Sequence, residues 1–212
     1  MAQNHKFERL IIWIFRLLFL GAVLANIFSA HWLNLFISSL ALILSFLPQY
    51  LSNNDFVYIP ADMQFLIAVF IFATLYLGEL REYYLRFWWW DLMLHTISGV
   101  VLGMIGFILV FILNNEDRID VILSPVFIAL FSFAFAVTAG VFWEIFEFAM
   151  DSFLGLNMQK SGLVDTMWDL IVDCLGGLTA SIFGYRYITK SRESYFKKVV
   201  SSFLSENSQF FE

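Results

Sequence analysis

Charged residues and cysteines are scarce in this chain. Only 14% of its 212 residues are charged, and 18 acidic residues outnumber 12 Lys and Arg residues, which gives a net charge of -6. This balance leaves no basic face for a nucleic acid, so we exclude nucleic acid as a partner. The single cysteine, Cys174, excludes an internal disulfide bond, and its apolar sequence surroundings indicate a packing role.

Apolar residues are correspondingly abundant, at 60% of the chain, and aromatic residues make up 19%. They fall in runs of about 20 residues, long enough for a helix to cross ~30 Å of hydrocarbon. The predicted fold is therefore all-α, a polytopic transmembrane bundle of about six helices in a lipid bilayer. The predicted spans cover residues 10–30, 32–51, 61–80, 91–113, 121–150 and 164–187.

The connections between these spans are too short to mark a second domain. We therefore expect a single transmembrane domain over residues 1–190 and a cytoplasmic tail over residues 191–212. In the tail, Phe196, Val199, Val200 and Phe203 follow helical spacing. The tail is expected either as an amphipathic helix on the inner leaflet or as a solvated segment.

Lys and Arg residues near the span ends predict the orientation. Eight of them fall on one side of the membrane, namely Lys6, Arg9, Arg118, Arg186, Lys190, Arg192, Lys197 and Lys198. Only Arg81, Arg86 and Lys160 fall on the other side. Because these residues concentrate on the cytoplasmic side of membrane proteins, both termini are predicted to be cytoplasmic.

Half of the acidic residues gather at the predicted outer ends of spans three to six. They are Glu79, Glu82, Asp91, Glu144, Glu147, Asp151, Asp165, Asp169 and Asp173. Asp91 and His95 are four residues apart, and the acids of spans five and six follow i, i+3, i+7 and i, i+4, i+8 spacing. Each set therefore lies on one helical face.

An ionised side chain at mid-bilayer costs at least ~2.5–3.5 kcal/mol, so these acids cannot all be ionised and unpaired. They must be protonated, hydrated, bound to cations, or paired with Arg81, Arg86 or His95. Taken singly, an acid at a helix end is most simply solvated, and a histidine beside an aspartate is most simply a structural hydrogen bond. The deeper residues favour a functional interpretation.

Carboxylates with one imidazole suit Mg²⁺, Mn²⁺ or Zn²⁺, and facing helices can hold two such ions. The sequence therefore predicts a divalent-metal site, although proton handling is a close alternative. The predicted ligands are Asp91, His95, Glu144, Glu147, Asp169 and Asp173. His95 and Glu147 are the predicted proton-transfer residues, and Glu79, Arg81, Asp151 and Asp165 are the predicted supporting residues.

Three segments carry a family resemblance. They resemble elements of a bacterial inner-membrane family. The first segment contains Asp91, His95 and Gly99, the second contains Trp143-Glu144 and Glu147-Phe148, and the third contains Asp165, Asp169 and Gly176-Gly177. That family is typified by YjdF, and the VanZ-like membrane proteins are more distantly similar. The chain departs from the pattern at Val164, Met167 and Asp173, where Trp, Gln and the VanZ-like Asn are expected. The resemblance implies a multi-pass bacterial inner-membrane protein with an acidic outer-face site, but no particular reaction.

Three functions fit this pattern. The first is a metal-dependent hydrolase or transferase acting on a phosphate-bearing lipid or lipid-linked substrate. The second is a proton- or cation-coupled transporter, which the lack of an evident inverted repeat disfavours. The third is a non-catalytic module that binds an envelope ligand.

Overall fold

The protein is described here by a computed structural model, which covers residues 5–54, 57–114, 123–190 and 195–207. The described part contains helices and no strands. In chain order these are α1 (Lys6–Phe28), α2 (Trp32–Asn53), α3 (Ala61–Ile71), a π-helical segment (Phe72–Leu80), α4 (Tyr83–Arg86), α5 (Trp90–Asn114), α6 (Pro125–Leu154), α7 (Leu163–Thr189) and α8 (Tyr195–Glu206). Six helices are long and apolar enough to cross a membrane, counting α3 and the π-helical segment as one. The predicted all-α fold with six spans is confirmed.

The observed helix ends differ from the predicted ones for local reasons. α6 begins at Pro125, because proline fits the first helical turn and the hydroxyl of Ser124 accepts the N–H of Phe127 at 3.2 Å. It continues to Leu154, four residues past the predicted end at residue 150. Val121, where the fifth span is predicted to begin, lies outside the described residues. Arg118 and Arg192, two of the eight residues on the predicted cytoplasmic side, also lie outside them.

The first of two compact units contains α1 to α4 and residues Ser201–Asn207. Its core includes Phe19, Ala41, Ile71 and Tyr76. Arg16 is buried in α1, where its guanidinium donates to the Ser45 carbonyl oxygen at 2.9 Å and to Gln49 Oε1 at 3.1 Å. These bonds compensate part of the cost of burying its charge.

The connection between α2 and α3 forms hydrogen bonds with Asn207, the residue that follows α8. Asn207 is fully buried. Its Oδ1 accepts the backbone N–H of Tyr58 at 2.7 Å, and its Nδ2 donates to the Tyr58 carbonyl at 2.8 Å. The C-terminal tail therefore contains a helix with a fixed end. The division into one domain over residues 1–190 and a separate tail stays a prediction.

The second unit, within Asp91–Val200, contains α5, α6 and α7. One buried stripe runs along α6 through Ile128, Ala129, Ser132, Ala136, Gly140, Glu144 and Glu147, and one along α7 through Asp169, Asp173, Gly176, Gly177, Ala180, Ser181 and Gly184. Ser132 Oγ donates to the Gly103 carbonyl at 2.6 Å, and Ser181 Oγ to the Ala129 carbonyl at 2.7 Å. Small residues let the helices approach closely, while carboxylates occupy one end of each stripe.

Candidate functional site

The carboxylates of α6 and α7 meet beside the first turns of α5. α6 ends and α7 begins at the loop of residues 155–162, so the last turns of one helix face the first turns of the other. Asp91 and His95 project from the start of α5 to the same place. The three acidic stripes that the sequence predicts are thus brought together in the second unit.

His95 lies between two carboxylates. Its Nδ1 is 3.3 Å from Asp173 Oδ2, and its Nε2 is 3.8 Å from Asp91 Oδ1. A ring nitrogen facing a carboxylate at hydrogen-bonding distance is a donor, so we assign the proton to Nδ1. This assignment leaves the Nε2 lone pair of a neutral imidazole available as a ligand, the arrangement found around metal-bound histidines.

An inner group consists of His95, Glu144 and Asp169. One ligand atom from each residue lies within 4.8 Å of the other two. The three residues are 8%, 4% and 1% exposed, respectively. Both Glu144 oxygens and Asp169 Oδ2 are buried without a hydrogen bond of normal geometry among the described residues. Thr166 and Gln159 make only weaker polar contacts with Glu144.

An outer group consists of Asp91, Asp165 and Asp169, with the same 4.8 Å limit between its ligand atoms. Asp91 and Asp165 are partly exposed, whereas Asp169 is buried. Asp169 belongs to both groups, so its carboxylate lies where it could bridge two cations. Asp165, which the sequence predicts only as a supporting residue, therefore lies among the candidate ligands.

Asp173 and Glu147 have different surroundings from the ones predicted. Neither belongs to the inner or outer group. Asp173 instead orients His95, and a Cβ atom at Gly140 would collide with its carboxylate. Glu147 Oε1 accepts the indole N–H of Trp143 at 2.9 Å. It remains within electrostatic range of Glu144 and Asp91, a position suited to proton transfer.

The loop of residues 155–162 brings a lysine side chain to the site, a contact that the sequence did not predict. Lys160 Nζ donates to Asp91 Oδ2. Asp151, a predicted supporting residue, accepts the backbone N–H groups of Met158 at 2.7 Å and Gln159 at 2.9 Å and so fixes the loop. Lys160 follows no helical periodicity with the acids, so spacing gave no signal for it.

The other predicted supporting residues lie in the first unit. Glu79 is in the π-helical segment, and Arg81 follows it, donating to the Tyr76 hydroxyl at 2.9 Å. Arg86 pairs with exposed Glu82 at 3.3 Å. This unit also contains a partly exposed group of His5, Glu8 and Asp62 whose ligand atoms lie within 4.8 Å of one another.

The sequence pattern of DUF2238, a family of predicted membrane proteins, matches residues 11–190. The chain belongs to this family. Membership in DUF2238 agrees with the expected resemblance to YjdF, while the more distant VanZ-like resemblance stays a prediction. The match includes all six spans apart from the first residues of α1.

One relative of this DUF2238 chain is a protein of Thermotoga maritima, described as an uncharacterized protein. It is 33% identical over 129 residues, which correspond to 60% of this chain and 64% of the relative. The chain therefore aligns with less than two thirds of that protein's length. No solved structure matches the chain.

Proposed function

We propose that this protein is a divalent-cation-dependent membrane enzyme, a hydrolase or transferase that acts on a phosphate-bearing lipid or lipid-linked head group. The inner group of His95, Glu144 and Asp169 binds one cation, and the outer group can hold a second cation through the shared Asp169. We place the protein in the bacterial cytoplasmic membrane with both termini inside, so the site faces the outer leaflet.

The observation that carries this proposal is the set of buried, unsatisfied oxygens on Glu144 and Asp169. A buried acceptor without a hydrogen bond costs about 1–3 kcal/mol, and more if it is charged. One oxygen from each of these two carboxylates lies within 4.8 Å of an imidazole nitrogen. A divalent cation bound by these atoms would compensate part of this cost, and the donor set suits Mg²⁺, Mn²⁺ or Zn²⁺.

The same arrangement supports phosphate chemistry. A divalent cation held there would neutralise phosphoryl oxygens and activate a water molecule or an acceptor hydroxyl. The attack would form a P–O bond to the water or hydroxyl oxygen and break the P–O bond to the leaving alcohol or phosphate, which would leave after taking up a proton from water. Glu147, which is outside both ligand groups and 9% exposed, is the residue we assign to accept the proton from the attacking oxygen. His95 is better suited to ligation, because Asp173 occupies its Nδ1.

A transport function has less support. On the far side of the carboxylates, α5 and α7 pack so closely that a Cβ atom at Gly103 would lie 2.6 Å from that of Ala180. A Cβ atom at Gly184 would lie 2.5 Å from the ring of Phe107. The buried hydroxyls of Ser132 and Ser181 donate to backbone carbonyls of neighbouring helices. This packing favours a site that opens to one membrane face over an ion path.

The test is metal analysis of the purified full-length protein after incubation with Mn²⁺ and removal of excess ion. The wild-type protein should retain Mn²⁺, and Asp169→Asn should lose it, because Asp169 belongs to both ligand groups. Asp62→Asn is the matched control, since it makes the same change in the surface group of the first unit. It should leave the Mn²⁺ content unchanged.

Two results would contradict the proposal. One is a wild-type protein that retains no Mn²⁺, Mg²⁺ or Zn²⁺. The other is Mn²⁺ that is lost in Asp62→Asn and retained in Asp169→Asn, which would assign it to the surface group. Helical content should be measured for each variant so that a loss of ion is separated from a loss of fold. The enzymatic part of the proposal requires a metal-dependent release or transfer of the phosphate-bearing group of a lipid, and Glu147→Gln should abolish this activity.

A further inference from the structure

Lys160 places an ammonium group against the outer ligand group. Its Nζ donates to Asp91 Oδ2, and its side chain is 25% exposed while that of Asp91 is 19% exposed. Lys160 is also within electrostatic range of Asp165, another member of the outer group. The positively charged side chain of Lys160 therefore lies beside carboxylates that could bind a divalent cation.

The position of Lys160 is built into the loop. Asp151, in the last turn of α6, accepts the N–H groups of the two residues before Lys160. Gln159 Nε2 donates to Thr166 Oγ1 in the first turn of α7 at 2.7 Å. The two residues before Lys160 are thus anchored to α6 and α7, so the contact of Lys160 with Asp91 on α5 is a property of the fold.

We propose that Lys160 acts as a tethered counterion at the outer group and controls cation binding there. This inference rests on the proposed function. The ammonium group neutralises Asp91 in the absence of a second divalent cation and opposes the entry of one, because two cations on neighbouring oxygens repel. The inner group fills first, because Lys160 Nζ is bonded to Asp91, a ligand of the outer group. Occupation of the outer group requires the release of Lys160 from Asp91.

In this role Lys160 affects the binding of the second cation and not that of the first. Lysine carries a compact charge on a flexible stem, so it can leave one carboxylate and pair with another anion without any change in the helices. A phosphate group brought by a substrate is an anion of the required kind. Filling of the outer group would then be coupled to substrate binding.

The experiment is a Mn²⁺ titration of the full-length protein by calorimetry, with the number of bound ions determined by metal analysis. Lys160→Met should raise the affinity of a second Mn²⁺ by about tenfold or more, because one neighbouring positive charge is removed. The affinity of the first Mn²⁺ should change much less. Lys160→Arg, which retains the charge, should titrate like the wild type.

Two further variants keep the result interpretable. Asp151→Ala should release the loop and strengthen the second site without removing any charge from Lys160. Lys190→Met makes the same charge change at the opposite end of α7 and should have no effect. If the wild type binds Mn²⁺ but Lys160→Met leaves stoichiometry and affinity unchanged, the role of Lys160 is wrong and the proposed function stands. If neither the wild type nor Lys160→Met binds Mn²⁺, both proposals are wrong.

Discussion

At the scale of single residues, His95 organises the site because it contacts carboxylates on two helices. The shorter contact, 3.3 Å to Asp173, fixes the ring, whereas the 3.8 Å approach to Asp91 is too long for a hydrogen bond. The two aspartates therefore have different functions. Asp173 orients the imidazole from behind, and Asp91 lies on the side where Nε2 can meet a cation.

Changing Asp173 should weaken cation binding indirectly. We expect Asp173→Ala to lower Mn²⁺ affinity by about 10–100-fold, the usual effect of removing a carboxylate that supports a ligating histidine. Asp173→Asn should cause a smaller loss, because its amide oxygen can still accept from Nδ1. Calorimetric titration of both variants measures the effect. Equal losses in the two variants, or no loss in either, would contradict the supporting role.

Much of the site could be predicted from residue spacing, because acids on one helical face must point in one direction. Spacing placed Glu144, Asp169 and His95 on inward-facing stripes, and the structure brings them within ligand distance. It could not separate ligands from supporting residues. His95 and Asp173 are 78 positions apart, and Lys160 lies in a loop, so their contacts depend on how the helices pack.

At the scale of helices, close contact between α5 and α7 holds the site together. A Cβ atom at Gly99 would lie 2.7 Å from the backbone oxygen of Asp173, and one at Gly140 on α6 would collide with the Asp173 carboxylate. The first collision involves backbone, which cannot move unless the helices separate. The second involves a side chain, which can rotate away from His95.

These two glycines should respond differently to alanine. Gly99→Ala should destabilise the protein by about 1–3 kcal/mol, as overpacking does, and should also weaken Mn²⁺ binding. Gly140→Ala should weaken Mn²⁺ binding with a smaller loss of stability. Gly21→Ala is the matched control, because nothing lies within 4 Å of its added Cβ atom. Thermal unfolding in detergent provides the stability scale, and equal destabilisation by all three variants would contradict this account.

The existence and number of the long helices could be predicted, because a run of about 20 apolar residues satisfies its backbone hydrogen bonds in a membrane by forming a helix. The π-helical segment from Phe72 to Leu80 could not, since its composition resembles that of the α-helix before it. The end of α6 was also predicted four residues too early. The helix continues through Asp151, whose carboxylate accepts two N–H groups from the following loop.

At the scale of the whole molecule, an even number of spans predicts that both ends of the chain lie on one side of the membrane. Within the first unit, His5 Nδ1 lies 3.3 Å from Asp62 Oδ1 in the first turn of α3, and Asn207 pairs with Tyr58 in the connection between α2 and α3. The loop of residues 155–162 is separated from Lys190 by the full length of α7. The excess of Lys and Arg predicts that the loop is outside the cell.

Cysteine labelling tests this orientation. In a Cys174→Ala background, Asn157→Cys should react with a membrane-impermeant maleimide in intact bacterial cells. Lys190→Cys should react only after the membrane is disrupted. Both positions are exposed and lie outside the spanning helices. The reverse pattern would place the site on the cytoplasmic side and exclude an outer-leaflet substrate.

The central claim is that α5, α6 and α7 together hold a divalent cation in their buried acidic site. Anomalous X-ray diffraction from crystals of the full-length protein grown with Mn²⁺ measures this most directly. We predict a manganese peak bounded by His95 Nε2 and the carboxylates of Glu144 and Asp169. Diffraction that shows these side chains in place with no peak between them, or a peak only at His5, Glu8 and Asp62, would contradict the account.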